Sequence, residues 1–384
     1  MQSLIHRPKR AAATILAGLI ACAVITVVVL MLTPPAGAAF SCSGRQIYPG
    51  NDLDAIVNSD PSTTATTFCV NASSSGATYY INNTVQLRSG DKLLGQPGQV
   101  VTRGPASYGV PPVKIRNGGS LAKLIQLSGS NVALRWLDIA GSATKYSNGQ
   151  ALDSSGVAID AWSANPTARL EYLTIHDNPN SGINNMNGKL FHSNLYNNGG
   201  NSDFWGWTAT AVKGINEYEA AYNFVHDNAN FGLWCDAGCN DRGAAMPNGF
   251  WVHHNLVVNN NRSGIRYEHS PKGLATGVHR SQPTALIENN EVHGNGYHGP
   301  YWAGISMHDS QNGTIRNNYF GPKTIGGVSY RANSNSIAII FTDSGKASRT
   351  DLWNGDAVRN ALGGETIVNC AKPDNVVYCA DNRR

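Results

Sequence analysis

A parallel β-helix, an all-β single-stranded solenoid with capped ends, is the fold class this sequence predicts. Three observations point to it: a short unit ending in an Asn-rich turn that returns six times, a short apolar unit after each one, and the composition. Charged residues make up 14% of the 384, while Gly alone contributes 41, which suits a turn-rich β architecture on one extended domain and excludes a long helical protein.

The first 38 residues read as a leader. A basic start (Arg7, Lys9, Arg10) runs into an apolar stretch and then the small residues Ala36-Gly37-Ala38, a pattern suited to a signal peptidase. Cleavage and export are the expectation, leaving a secreted protein with no stable membrane association. An uncleaved anchor is the competing reading, because residues 11–32 are long enough to span a bilayer. Removing Cys22 with the leader leaves six cysteines in three sequence-local couples. Paired as Cys42 with Cys69, Cys235 with Cys239 and Cys370 with Cys379, they staple the amino-terminal region, one central loop and the tail. Zinc at Cys235-x-x-x-Cys239 is the alternative, disfavoured because the nearby histidines lack a ligand spacing.

The first unit appears as "LEYLTIHDN", "FHSNLYNNG", "AAYNFVHDN", "VHHNLVVNN", "IENNEVHGN" and "IRNNYFG". Laid under one another, these place Asn194, Asn223, Asn255, Asn290 and Asn318 in one position, at intervals of 29, 32, 35 and 28 residues. Constant strands with loops of variable length are implied. The second unit reads "GVAID" (156–160), "GINNM" (182–186), "AVKGI" (211–215), "GLWCD" (232–236), "GIRYE" (264–268) and "GISMH" (304–308), with "AIIFT" (338–342) a looser member. Strand side chains alternate, so its second and fourth residues, such as Leu233 and Cys235 or Ile265 and Tyr267, face inward. Short strands returning without an amphipathic helix between them bury their apolar faces only against neighbouring coils. Asn at a recurring turn tolerates left-handed geometry and can hydrogen-bond its counterpart one coil away.

With its "NxxxxNN" turns and "GIxxE"-type strands, the chain resembles the right-handed parallel β-helix proteins of the pectate-lyase-like superfamily, in particular secreted actinobacterial members. The resemblance covers about residues 75 to 345. It implies a β-helix over 76–345, an amino-terminal cap over 39–75 hiding the open edge, and a carboxy-terminal cap or tail over 346–384. For activity it leaves lyases, hydrolases, epimerases and phage adhesins open. The paired "DD" with "GHG" and "RIK" of the polygalacturonase-like hydrolases is absent, as is a clear cluster of calcium aspartates like that of the pectate lyases.

Stacking the second unit coil on coil makes columns of outward residues, with coils about 4.8 Å apart. The fifth-position column reads Asp160, Met186, Ile215, Asp236, Glu268, His308, Thr342; the third reads Ala158, Asn184, Lys213, Trp234, Arg266, Ser306, Ile340. Functional groups concentrate between Lys213 and His308. Two carboxylates on adjacent coils call for a shared proton, a bound cation or a basic partner. The bland reading pairs Asp236 and Glu268 with Lys213, Arg266 or His308 as surface ion pairs.

Three functional readings stand beside it. In a glycoside hydrolase, Asp236 and Glu268 are acid and nucleophile or base, with His308 tuning them. In a polysaccharide lyase, the two carboxylates hold Ca²⁺ while Lys213 or Arg266 removes a proton from a uronate, as the resemblance suggests. In a non-catalytic protein the groove only binds glycan. Trp205, Trp207, Trp234, Tyr301 and Trp302 offer stacking platforms for sugar rings. Asp160, three coils from Asp236, suits a distal subsite, and Asp153 and Asp203 are loop residues able to reach in. His176-Asp177, His226-Asp227 and His253-His254 follow the repeat, which explains them without catalysis. Net charge is +4, with three positive charges in the leader, so no nucleic-acid footprint is expected. The expected partner is a polysaccharide, with calcium the one cofactor considered and a monomer the expected state.

Overall fold

Alternating apolar residues fold into three columns, and those columns are the core. One reads Ile125, Ile159, Ile183, Val212, Leu233, Ile265, Ile305, Ile339. A second reads Leu134, Leu170, Leu190, Ala220, Val252, Ile287, Ile315, and a third Ile139, Ile175, Leu195, Val225, Val257, Val292. All are fully buried in one cluster. Each column is the inner face of a parallel sheet, and every coil contributes one strand to each sheet in turn. The chain is thus a right-handed parallel β-helix. The computed structural model describes residues 40–164, 167–204, 208–236, 239, 249–268, 285–297, 302–308, 313–342 and 356–369.

Two corners of this prism are closed by asparagine ladders. Between the second and third sheets, Asn223, Asn255, Asn290, Asn318 and Asn360 pass a hydrogen bond from each Nδ2 to the next Oδ1 at 2.9–3.1 Å. That same Oδ1 accepts the backbone N–H of the residue before it in the ladder. Asn194 is not a member: Ser193 holds the rung below Asn223, and Asn194 pairs instead with Phe224 in the third sheet. A second ladder, between the third and first sheets, runs Asn178, Asn198, Asn228, Asn260, Asn295, Asn333. Ser142 opens it and the buried Glu365 closes it by accepting from Asn333. Buried amides with every group bonded specify the corner geometry, because an orphaned one would cost about 1–3 kcal/mol.

The residues before the first ladder adopt positive φ, including Trp136, Tyr172, His192, Tyr222 and His254, a conformation bulky side chains rarely take. Their rings stack coil on coil at 4.5, 4.9, 5.1 and 5.2 Å, which offsets that backbone cost.

Parallel pairing continues beyond the span 76–345. Arg45–Ile47 pairs with Thr67–Val70, and that strand with Lys92–Gly95; Asp356–Val358 and Thr366–Asn369 extend the stack at the other end. Cys42 is bonded to Cys69 and Cys235 to Cys239. The couple Cys370 and Cys379 lies outside the described residues, as does the leader.

Outer faces differ. An antiparallel hairpin, Gln99–Arg103 with Ala106–Val110, lies over the third sheet, where Tyr108 stacks on Phe224 at 5.5 Å. It meets a second hairpin, Lys323–Ile325 with Val328–Tyr330, in a small apolar cluster. The second sheet carries ion pairs such as Lys189–Glu219 (3.1 Å) and Arg316–Glu288 (2.8 Å). On the first sheet the outward side chains are polar yet largely buried.

Candidate functional site

The first sheet's outward column reads, in register, Gln126, Asp160, Asn184, Lys213, Trp234, Arg266, Ser306, Ile340. Asp160 therefore stands opposite Asn184, not Met186: the coils "GVAID" and "GINNM" are offset by two residues relative to their alignment in sequence. The offset is already present where the pairing starts, with Val157 opposite Ser181, and it holds through Asp160. The strand Val157–Ala164 shifts register between Asp160 and Ser163, and Ser181–Phe191 shifts on either side of Met186. Asn185 sits there at φ 57°, and Met186 turns into the core. At "AVKGI" the register holds, with Val212 inward and Lys213 beside Trp234. Irregularities of this kind re-aim side chains.

Cys235 lies opposite Tyr267, so Asp236 and Glu268 leave adjacent coils side by side. Glu268 is in turn opposite His308. The Lys213 Nζ lies 3.0 Å from Asp236 Oδ2, Arg266 Nε donates to Glu268 Oε2 at 2.5 Å, and His308 Nε2 is 4.0 Å from Glu268 Oε1. The pairing expected of a surface ladder is therefore present. It is not on an open surface, since Arg266 and Glu268 are 7% and 8% exposed. The Cys235–Cys239 bond brackets Asp236, and both cysteines are buried in the core.

Trp234 is also buried, and Lys213 Nζ lies 4.5 Å from the centre of its ring. It supplies no open face for a sugar, contrary to its expected stacking role, and its Nε1 has no hydrogen-bond partner among the described residues. The buried Ser306 Oγ is in the same condition. Trp302 stands edge-on to Phe231 at 5.4 Å, with the guanidinium groups of Arg262 and Arg266 4.9 and 5.3 Å from its ring centre. Burial, and then the neighbouring charge of Arg266, lower the pKa of Arg262 despite the opposing pull of Glu268. Trp205, Trp207 and Tyr301 lie outside the described residues.

Toward the amino-terminal coils the same face opens into a cavity of about 330 Å³, lined by Lys123, Asp153, Asp160, Trp162, Asn184 and Lys213 among others. Asp160 is 2% exposed. Its carboxylate accepts from Asn185 Nδ2 at 3.0 Å, from the Trp162 backbone N–H at 3.1 Å, and from the ammonium of Lys123. Asp153 does reach this wall, whereas Asp203 accepts from the Tyr146 hydroxyl at 3.1 Å. Lys123, Trp162 and Asn185 were not singled out from the sequence. "KLIQL", 123–127, carries the same alternation as the later strands and was the available signal for Lys123; for Trp162 it was its place two residues beyond Asp160, while Asn185 lies at the register shift.

The calcium arrangement expected for a lyase needs open carboxylates. Asp236 and Glu268 each face a cationic side chain, and no group of three His, Cys, Asp or Glu spaced to hold an ion occurs among the described residues. The donor set does not fit the ion. His176-Asp177 and His226-Asp227 lie on the third sheet, away from this face, each with Nδ1 2.6 Å from the aspartate.

No protein-family model matches the chain, and no curated protein sequence does. Among solved structures it is similar to the A-module of the Azotobacter vinelandii mannuronan C-5 epimerase AlgE4, at 12% identity over 86% of this chain and 94% of that one, with a TM-score of 0.43. The AlgE6 A-module of the same organism gives 12%, 86%, 96% and 0.44. An alginate lyase from Paenibacillus sp. str. FPU-7 gives 13%, 85%, 99% and 0.30. These likenesses carry no argument for activity; the β-helix assignment rests on the strand register above.

Proposed function

We propose that this is an exported, monomeric polysaccharide-acting protein that lays a glycan across the outer face of its first sheet and hydrolyses it beside Asp236 and Glu268. The observation that supports this most directly is the condition of the column. Ion-paired carboxylates lie on adjacent coils among buried groups with unused hydrogen-bonding capacity, the Trp234 Nε1 and Ser306 Oγ. A scaffold gains little from such groups, whereas sugar hydroxyls would satisfy them.

In this reading Glu268, bonded to Arg266, is the ionised nucleophile or base at the anomeric carbon. His308 orients its second oxygen. Asp236, the more exposed of the two carboxylates, takes up a proton from solvent once substrate hydroxyls draw Lys213 away from it, and delivers that proton to the leaving oxygen. Substrate binding thus converts a paired carboxylate into a working acid.

β-Elimination of a uronate polymer is the second reading, favoured by one observation. The Arg262 guanidinium is half-buried, and its Nε has no partner among the described residues, as expected where a substrate carboxylate completes the pairing. A single digest separates the two. A panel of plant, algal and bacterial wall polysaccharides is incubated with wild type and Asp236→Asn, reading reducing ends and the absorbance of unsaturated uronate. Reducing ends without that absorbance, lost in the variant, support hydrolysis. Unsaturated product overturns it in favour of elimination, and silence across the panel leaves a glycan-binding protein.

A further inference from the structure

We infer that the cavity around Asp160 is a separate subsite that recognises one neutral, hydroxyl-bearing sugar ring. The inference rests on the reading of this face as a glycan groove but needs no bond to be broken. The cavity volume, about 330 Å³, lies at the small end of the range for ligand pockets and suits a monosaccharide unit rather than a long segment.

Its buried charges are already matched inside the protein, and the further charged group on the wall, Asp153, is exposed. Asp160 is held by Lys123, Asn185 and the Trp162 N–H, and Lys213 reaches Asp236. The buried atoms that the wall leaves without a partner are neutral. Asn184 is 6% exposed and Thr208 5%; both line the cavity, and neither Asn184 Oδ1 nor Thr208 Oγ1 has a hydrogen-bond partner among the described residues. A buried amide oxygen asks for a donor, and a buried hydroxyl for a donor or an acceptor. A sugar O–H provides both.

Beside them Trp162 is 62% exposed on the same wall, an indole available to the C–H face of a pyranose. Trp162 continues the outward alternation of Asp160, with Ala161 in the core between them, and register shifts fall beside it and around Met186 on the next coil. Both irregularities occur at this cavity, beside an exposed aromatic and a buried amide that line one space. A hexuronate would bring a charge to cations that already hold Asp160 and Asp236, so the neutral ring is preferred.

The test is saturation-transfer NMR and calorimetry on the full chain carrying Asp236→Asn, titrated separately with glucose, galactose, mannose, N-acetylglucosamine, glucuronate and galacturonate. At least one neutral sugar binds saturably and both uronates bind more weakly. Asn184→Ala weakens that binding about tenfold, the loss expected for one well-placed hydrogen bond. Trp162→Ala, at an exposed position that leaves the core untouched, weakens it by a similar factor. Absence of binding by every neutral sugar, uronates binding as tightly as neutral sugars, or binding unchanged in both variants overturns the inference. Saturable neutral-sugar binding with a silent polysaccharide digest sinks the hydrolase reading and leaves the subsite standing; the converse sinks only the subsite.

Discussion

Lys213 and Asp236, brought together from neighbouring coils, meet at 3.0 Å, with the Lys213 ammonium above the buried Trp234 ring. Their pairing leaves Asp236 the more exposed partner, at 24% against 11% for the lysine side chain. If Asp236 delivers the proton, Asp236→Asn keeps the shape and removes the acid. Turnover of the polysaccharide identified in the digest falls by a factor of about 10² to 10⁴, the range for loss of general acid catalysis. Circular dichroism and the melting profile show the fold retained. Unchanged turnover in a folded variant removes Asp236 from the mechanism.

The asparagine ladder predicts a contrast between two residues that look alike in the sequence. Asn255 donates to Asn290, to Ala220 O and to His253 O, and accepts from Asn223. Asn255→Ala orphans buried groups on three coils and destabilises the protein by about 1–3 kcal/mol. Asn194 lies off the ladder and, among the described residues, its side chain bonds the half-buried His226 ring, so Asn194→Ala costs less than about 1 kcal/mol. Denaturant midpoints of the two variants check the ordering, and equal shifts would contradict it.

His176 lies between two carboxylates, with Nε2 3.0 Å from Asp138 and Nδ1 2.6 Å from Asp177. Burial pulls its pKa down, but the two hydrogen bonds outweigh burial and the net shift is upward from 6.5. Its contribution to stability is then fully present below the ordinary value and fades as pH rises through the elevated one. His254, depressed by burial and by His253, acts in the opposite sense, so the measurement is a difference. The melting-temperature gap between wild type and His176→Gln is widest near pH 5.5 and closes toward pH 8. A gap constant across that range rules the shift out.

The Cys42–Cys69 bond spans 27 residues and ties the strand Thr67–Val70 to the segment before Arg45–Ile47. Its removal by Cys42→Ser with Cys69→Ala costs about 2–4 kcal/mol. Because coils contact only their neighbours, the loss is local. Hydrogen exchange accelerates over residues 45–70 while the first sheet around Lys213 keeps its protection. Uniform acceleration along the whole chain would show instead that the end coil controls global stability.

The apolar column of the first sheet and the polar face opposite it were legible because strand alternation has a period of two and coils repeat one above another. Lys213, Trp234, Arg266, Glu268 and His308 stand in register as their motifs align, since each unit there starts from a small residue, Ala211 or a glycine, and is paired without interruption. The first ladder was legible except at its lower rung, where the Asn of "HSN" was read one residue late and Ser193 holds the place. The second ladder went unrecognised although its asparagines recur five residues after the first, as in Asn223 and Asn228.

Periodicity of the chain alone therefore decided the β-helix, its inward residues and the sheet that bears the carboxylates, because burying an apolar face between stacked coils leaves one arrangement for that pattern. Only the tertiary structure decided the register between the coils of Asp160 and Asn184, the burial of Trp234 and the cavity beneath Trp162. Loops of different length join the coils, so which side chain meets which on the next coil is set by hydrogen bonds between coils and not by either strand alone.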